Sequence, residues 1–388
     1  MRVIGSDARL SPFGDAVGDL PLIGRTLARL REEEAALTDG ARLTFAAHAF
    51  ATTPLLAAWL ARVGAPDGRP RALAFAASSP LAHLAPVSTA RRVGELWVLD
   101  VFADAPAEAT LEALRAQAEP VAVEVSGPTY RRELPRLGPA PHHLDLPADG
   151  AVAAHVEHWV HLLWLGPLLV PRLRARAEGK RRRTRGAEQP SIVHPTAEVH
   201  PTARLDGAII GPRAIVGVGC TIDHSYVGAD ARLADFSKVS RCVLGDGVHT
   251  LADANFSHVV SLGEGTLTNL QLRDVLIGRK VFLTSGVIFW GEALGATITV
   301  EHEGREHDTG RRLLGGCVGH GAVLGARTIV GPGRALPNRT VVVMRREEGV
   351  LRVAPHAPGT PLCWDDAALV PYAQLRPGET PDELGGRQ

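Results

Sequence analysis

The stretch IVHPTAEVHPTARLDGAIIGPRAIVGVGCTIDHSYVGADARLADFSKVSRCVLG, residues 192–245, repeats itself. Aliphatic residues return every six positions (Val193, Val199, Leu205; Ile210, Val216, Ile222; Val227, Leu233, Val239). Each triplet restarts five residues on, so Val193, Ile210, Val227 and Leu244 stand seventeen apart. The fourth position after each aliphatic is mostly small: Ala197, Ala203, Ala214, Cys220, Ala231, Ser237. The pattern blurs between about 250 and 315, then returns at Val318, Leu324, Val330 and Leu336, with Ala322 and Thr328 in the small slots. A helical stripe would need spacings of three and four and would not tolerate such scattered Gly and Pro. Six-residue steps suit a coil of three short parallel strands, with the aliphatics stacked inside and small residues at the corners. One such unit cannot bury its own inner face, so stability comes from stacked neighbours.

At 388 residues the chain is long enough for two domains and substantial cores. Its formal charge is zero, which removes any global drive toward nucleic acid or a membrane surface. Four cysteines, Cys220, Cys242, Cys317 and Cys363, lack metal-ligand spacing, and the first three sit near small slots of the repeat. No signal peptide or membrane-spanning run is legible, so a cytoplasmic protein is expected.

Residues 1–148 read as an α/β domain. Expected strands are Arg2–Ile4, Leu43–Ala47, Ala72–Ala76, Leu96–Val101 and Val121–Val125; expected helices are Leu22–Ala35, Pro54–Val63 and Glu108–Ala118. The alternation predicts a mostly parallel sheet covered by helices, with a ligand turn at the end of the first strand. Residues 149–190 form a junction. Apolar residues at helical spacing from Val152 to Arg176 predict a connecting helix packed on both domains and broken or kinked at Pro167 and Pro171, followed by the solvated basic cluster Lys180–Arg183. His155, His158 and His161 would share one partly exposed helical face. Residues 191–344 hold the repeat, and 345–388 read as a polar cap or arm, anchored by Cys363-Trp364.

Several motifs resemble known families. The repeat is that of the hexapeptide, left-handed parallel β-helix. Asp206-Gly207-Ala208-Ile209-Ile210-Gly211, Asp223-His224-Ser225-Tyr226-Val227-Gly228, Ser240-Arg241-Cys242-Val243-Leu244-Gly245 and Arg273-Asp274-Val275-Leu276-Ile277-Gly278 resemble coils appended to sugar nucleotidyltransferases, among them the bifunctional N-acetylglucosamine-1-phosphate uridyltransferase/glucosamine-1-phosphate acetyltransferase. Gly5, Arg9, Leu10 and Pro12 match the opening G-x-G-T-R-[LM]-x-P of sugar-phosphate nucleotidyltransferases, and Leu20–Leu27 is similar to a later segment of theirs. Asp7 and Ala8 depart from that signature, and no Lys precedes Lys180. The resemblance implies nucleotide binding by Gly5, Arg9 and Asp100, with Asp104 a second acidic candidate and Mg²⁺ a possible ion, in a domain whose chemistry is lost or changed.

The resemblance also places acyl transfer in residues 253–308. Asn255-Phe256 looks like the family's Asn-Phe pair, while the family's His, Tyr and basic positions fall near Thr268, Gln271 and Val260 and are not kept. His258 and His320 stand as substitute bases for attack on a thioester, since a neutral imidazole takes the proton of an amine or hydroxyl. Asn255, His302 and His307 are the acyl-CoA or substrate-binding candidates, the last two in a polar interruption expected to reach over a neighbouring subunit's cleft. His302 and His307 also resemble two zinc ligands of γ-class carbonic anhydrases; Thr266 stands where the third would be, so no metal is assigned.

The leading expectation is thus a transferase moving an acetyl or other acyl group from acyl-CoA to a sugar phosphate or nucleotide sugar, with the homotrimer implied by the resemblance. The alternatives are a sugar-phosphate nucleotidyltransferase whose β-helix only assembles it, and a non-catalytic regulator or scaffold.

Overall fold

The computed structural model describes residues 1–5, 8–38, 42–125, 127–133, 143–293, 297–343, 352–354, 362–365 and 368–375. Asp7 and most of 345–388 lie outside them, as do the side chains of Cys363 and Trp364.

The repeat winds as a parallel β-solenoid. Its first face has nine strands, its second eight and its third five. The third is prolonged by Ile288–Phe289 paired with Ile329–Val330. Val216, Leu233 and Leu324 are at most 2% exposed and share one core with Leu205, Ile222, Val227 and Val239. The blurred region follows the same path. Thr250 stacks between Leu233 and Leu267, Phe256 between Val239 and Leu272, and Ser261 between Leu244 and Ile277. Two polar substitutions and a coil one residue short (Val260 pairs with Leu276) hide the rhythm without breaking it. The insertion between Phe289 and Gly316 holds an antiparallel hairpin, Thr299–His302 with Arg305–Asp308.

On the first face the outward residue is also apolar: Ile209, Tyr226, Val243, Val260, Leu276 and Cys317 follow one another in register. A strand apolar on both sides must be covered on both. The cover is the helix Trp159–Arg174, almost wholly buried, which makes the N-terminal core and this outer face one hydrophobic cluster. A Cβ on Gly166 would meet Val260, Leu22 and Val243 at 3.0–3.4 Å, so glycine permits this approach without displacing its neighbours. Pro167 and Pro171 sit inside the helix without ending it, and the N-terminal part of the expected span, Ala153–His155, is a strand instead. Lys180–Arg182, with Lys180 and Arg181 exposed, is a strand that pairs antiparallel with Ser191–Val193 and closes the end of the first face.

The N-terminal sheet runs Arg2–Ile4, Leu43–Ala46, Leu96–Ala103, Arg71–Ala76, Glu119–Ala122, with Arg91–Val93 hairpinned onto Leu96–Ala103. It is mixed, not mostly parallel, because Leu96–Ala103 is antiparallel to both neighbours. The cause is local: Val93 pairs with Leu96 across a two-residue turn whose first residue, Gly94, has φ 57°, which reverses the chain. Three helices, Leu27–Ala36, Thr53–Val63 and Leu111–Gln117, flank the sheet. No helix among the described residues is long and apolar enough to cross a membrane.

Candidate functional site

One corner of the solenoid is built from left-handed residues. Gly207, His224, Arg241, His258 and Asp274, one per coil, have φ of 60°, 45°, 50°, 54° and 54°. Side chains rarely take this conformation unaided. Here each N–H is donated back to the preceding coil: His224 to the Asp206 carbonyl (2.7 Å), Arg241 to Asp223 (2.9 Å), His258 to Ser240 (3.0 Å), Asp274 to Ser257 (3.1 Å). The result is a column of side chains about 4.8 Å apart, the inter-strand spacing.

The N-terminal hairpin Thr129–Glu133/His143–Pro147 packs against this column. Its buried Arg132 pairs with buried Asp274. Its Tyr130 ring lies 3.8 Å from the Arg241 guanidinium carbon, a cation–π stack that fixes the plane of that guanidinium. Between hairpin and coils is a cleft of about 440 Å³ lined by Tyr130, Arg131, Arg241, His258, Arg273 and Leu313, among others. Arg131 is paired with Asp145, and Arg273 lies a loose 3.6 Å from Glu292. Arg241 has no carboxylate partner among the described residues. Behind the cleft Arg311 is buried on the Trp164 ring and donates to the His83 carbonyl; burial first, then Arg132, push it down to about 9.

His258 lies within this cationic wall. Its Nδ1 is 3.0 Å from the Ser257 hydroxyl, while its Nε2 is buried without a hydrogen-bond partner. Burial, then Arg132, Arg241, Arg311 and Arg273, hold the imidazole well below its ordinary value, so it is neutral at pH 7. An unpaired buried nitrogen costs about 1–3 kcal/mol and calls for a partner that the described residues do not supply.

The other expected residues do not join it. His320 clasps the two parts of the chain: its Nδ1 accepts from Arg279 N at 2.8 Å, its Nε2 donates to Asp15 Oδ2 at 2.7 Å, and Arg279 donates to the same carboxylate at 2.9 Å. With both nitrogens engaged, it presents no free lone pair to a substrate in this arrangement. The hairpin of His302 and His307 packs against the chain's own N-terminal part. Their hairpin's Glu301 carbonyl accepts from His158 Nε2 at 3.1 Å, and His302 packs on the His158 ring. Ile298 and Val300 insert into the N-terminal core, which is the apolar contact that turns the hairpin inward. Asn255 is exposed on an outer face beside Lys238 and Gln271 in register, away from the His258 cleft lining.

In the N-terminal part, Gly5 ends the first strand at φ 87° and Arg9 folds back onto the Gly14 carbonyl at 2.6 Å. Asp100 is 1% exposed, bonded to His48 Nε2 at 3.1 Å and gripped by Arg115, and its N–H is donated to His155 Nε2 at 2.8 Å. Burial would raise this carboxyl, but His48 and Arg115 overcome it and hold it far below the usual range. Asp104 is taken up by Arg42. The donor atoms of His48, Asp100 and His155 lie within 4.8 Å of one another. They do not fit Mg²⁺: a guanidinium already neutralises the carboxylate, the His155 lone pair is occupied, and Mg²⁺ prefers oxygens. Arg9 and Asp100 are thus each engaged by groups of the chain itself.

His155, His158 and His161 are all buried, on a strand, at the helix N-cap and in its first turn, rather than along one exposed face. Sequence reading missed Arg241, Arg273 and Tyr130. A signal for Arg241 was present: in the quartets opened by Asp206, Asp223 and Ser240, the second residue is the corner, and Ser257-His258 falls in that slot. Tyr130 carried none, being brought in by the distant hairpin.

No protein-family model matches this chain, and no curated protein matches it. Among solved structures, two mutants of a GDP-perosamine N-acetyltransferase from Caulobacter crescentus, each in complex with CoA and GDP-perosamine, align with 60% of this chain and 87% of theirs. Identities are 16% and 18%, with TM-scores of 0.16 and 0.15. Likeness this slight says nothing of site or substrate.

Proposed function

We propose that the chain transfers an acyl group from acyl-CoA to a phosphate-bearing sugar, a sugar phosphate or nucleotide sugar, with His258 as general base. The observation that carries this reading is the buried, unpartnered Nε2 of a neutral imidazole inside an arginine-lined cleft. The arginines suit phosphate oxygens, and they keep the imidazole unprotonated. With Nδ1–H donated to Ser257, Nε2 takes the proton from an acceptor amine or hydroxyl as that group attacks the thioester carbonyl. The carbon–sulfur bond then breaks and the proton passes to the departing thiolate. Reaching Nε2 takes a small side-chain displacement, since the nitrogen has no exposed surface.

The test is release of CoA thiol from acetyl-CoA in the presence of a panel of sugar phosphates and nucleotide sugars. His258→Gln is expected to lower kcat about 10²–10⁴-fold with little effect on ligand binding. Unchanged turnover in that variant would falsify the assignment. The rival reading, a non-catalytic binder, draws on His320 and Asp100 being tied into structural contacts; it requires ligand binding with no thiol release from any acyl-CoA.

A further inference from the structure

Beside the arginine cleft lies a second one, about 280 Å³, lined by Leu270, Ile288, Phe289, Trp290, Glu292 and others. Arg273 and Leu313 line both, so cationic and apolar walls meet along one trough. Trp290 is the unusual member. Trp59, Trp159 and Trp164 are at most 6% exposed, whereas Trp290 is 51% exposed. Its backbone is nonetheless pinned: Trp290 N–H is donated to the Val330 carbonyl at 2.9 Å, and the Gly291 carbonyl accepts from Leu314 N at 2.8 Å. A bare indole on a fixed rung is a stacking platform.

At the other end, the Arg241 corner and Arg273 stand two rungs apart, since Ser240 pairs with Ser257 and Ser257 with Arg273. That is about 10 Å of backbone, within reach of two guanidinium groups closing on one diphosphate. Arg241 has its plane set by Tyr130 and no carboxylate partner among the described residues. The opposing carboxylates are Glu133, in the cleft lining, and Glu292, whose 3.6 Å contact with Arg273 is too long to be a hydrogen bond and is open to replacement by a phosphate oxygen.

We propose that the two clefts form one site for a nucleoside diphosphate, its phosphates between Arg241 and Arg273 and its base stacked on Trp290. The proposal rests on the acyl-transfer reading for the role of His258 beside the phosphates. Two sources share this chemistry: the phosphorylated adenosine diphosphate of CoA and the nucleoside diphosphate of a nucleotide sugar.

Calorimetric titration of the full chain with ADP, UDP, GDP, CoA and inorganic pyrophosphate tests it. At least one nucleotide is expected to bind. Trp290→Ala should weaken it about 5- to 100-fold, the range of base–aromatic stacking, and Trp290→Phe should stay within about threefold. Pyrophosphate, which has no base, should bind Trp290→Ala and the parent alike, and Arg241→Gln should weaken both kinds of ligand. CoA binding with UDP and GDP silent assigns the site to the donor; the converse assigns it to the acceptor. Either supports a nucleoside diphosphate site. Binding of pyrophosphate alone, or nucleotide affinity indifferent to Trp290→Ala, overturns it. Nucleotide binding with no thiol release removes the acyl-transfer reading and leaves this site standing; thiol release independent of Trp290 and Arg241 does the reverse.

Discussion

Acidification should loosen the seam between the two parts of the chain, through His155, His158 and His161. All three are 2% exposed or less. Burial, then neighbouring His48, pushes His155 down to about 4; burial, then His161 and His302, pushes His158 to about 3; burial pushes His161 to about 4. Each is neutral in the fold, with both ring nitrogens of His158 and His161 committed to backbone groups. The unfolded chain takes up a proton on each near pH 6.5 and the folded chain does not, so stability is fully present above that pH and falls as pH drops below it. Between about pH 7.5 and about pH 5 the loss is about 2 kcal/mol per imidazole. The total is a large share of the 5–15 kcal/mol typical of a domain. Glu157, bonded by Thr89, and Asp100, bonded by His48 and Arg115, are held low and lose their contribution only below the ordinary carboxylate range, so the window from 6.5 to 5 belongs to the imidazoles. Urea unfolding across this range measures the slope, and imidazole NMR shows directly which rings escape titration. His161→Gln should shrink the loss across this range by about 2 kcal/mol. Three rings titrating near 6.5, or identical slopes for variant and parent, would refute the reasoning.

Three further outcomes follow from particular contacts. His320→Ala should leave CoA-thiol release within about threefold while costing about 1–3 kcal/mol, because the Asp15–His320–Arg279 clasp holds the fold rather than a substrate; loss of turnover without loss of stability would restore it as the base. Asp274→Asn strands Arg132, 8% exposed, without its counter-charge, and should cost about 3–5 kcal/mol in a denaturant melt; a change under 1 kcal/mol would mean the pair is solvated. Ser261→Ala should raise stability by about 1 kcal/mol, since the Ser261 hydroxyl lies buried in the inner wall with no partner; a lower unfolding midpoint would show that the hydroxyl has one.

The solenoid was legible because its physics is one-dimensional. An inward aliphatic every six residues is required by each coil for its own core, so Val193 to Val239 announce the wall without reference to anything distant. Even the doublets Ile209-Ile210 and Val243-Leu244 carried a message that only the fold explained: the second residue packs inside, and the first is covered by the Trp159–Arg174 helix. His258 and His320 both stood as substitute bases in the sequence, and residue type alone could not separate them.

What separates them is which long-range partner arrives. Asp15, more than three hundred residues away in sequence, occupies His320, while no described residue occupies His258 Nε2. The period of the chain by itself set the fold of the carboxyl half, because stacking rewards local repetition. The order of the N-terminal strands, the inward turn of the His302/His307 hairpin and the gathering of Arg241, Arg273 and Tyr130 around one imidazole were decided by packing between distant segments. No local pattern encodes such contacts, since each residue's partner is chosen only when the surfaces meet.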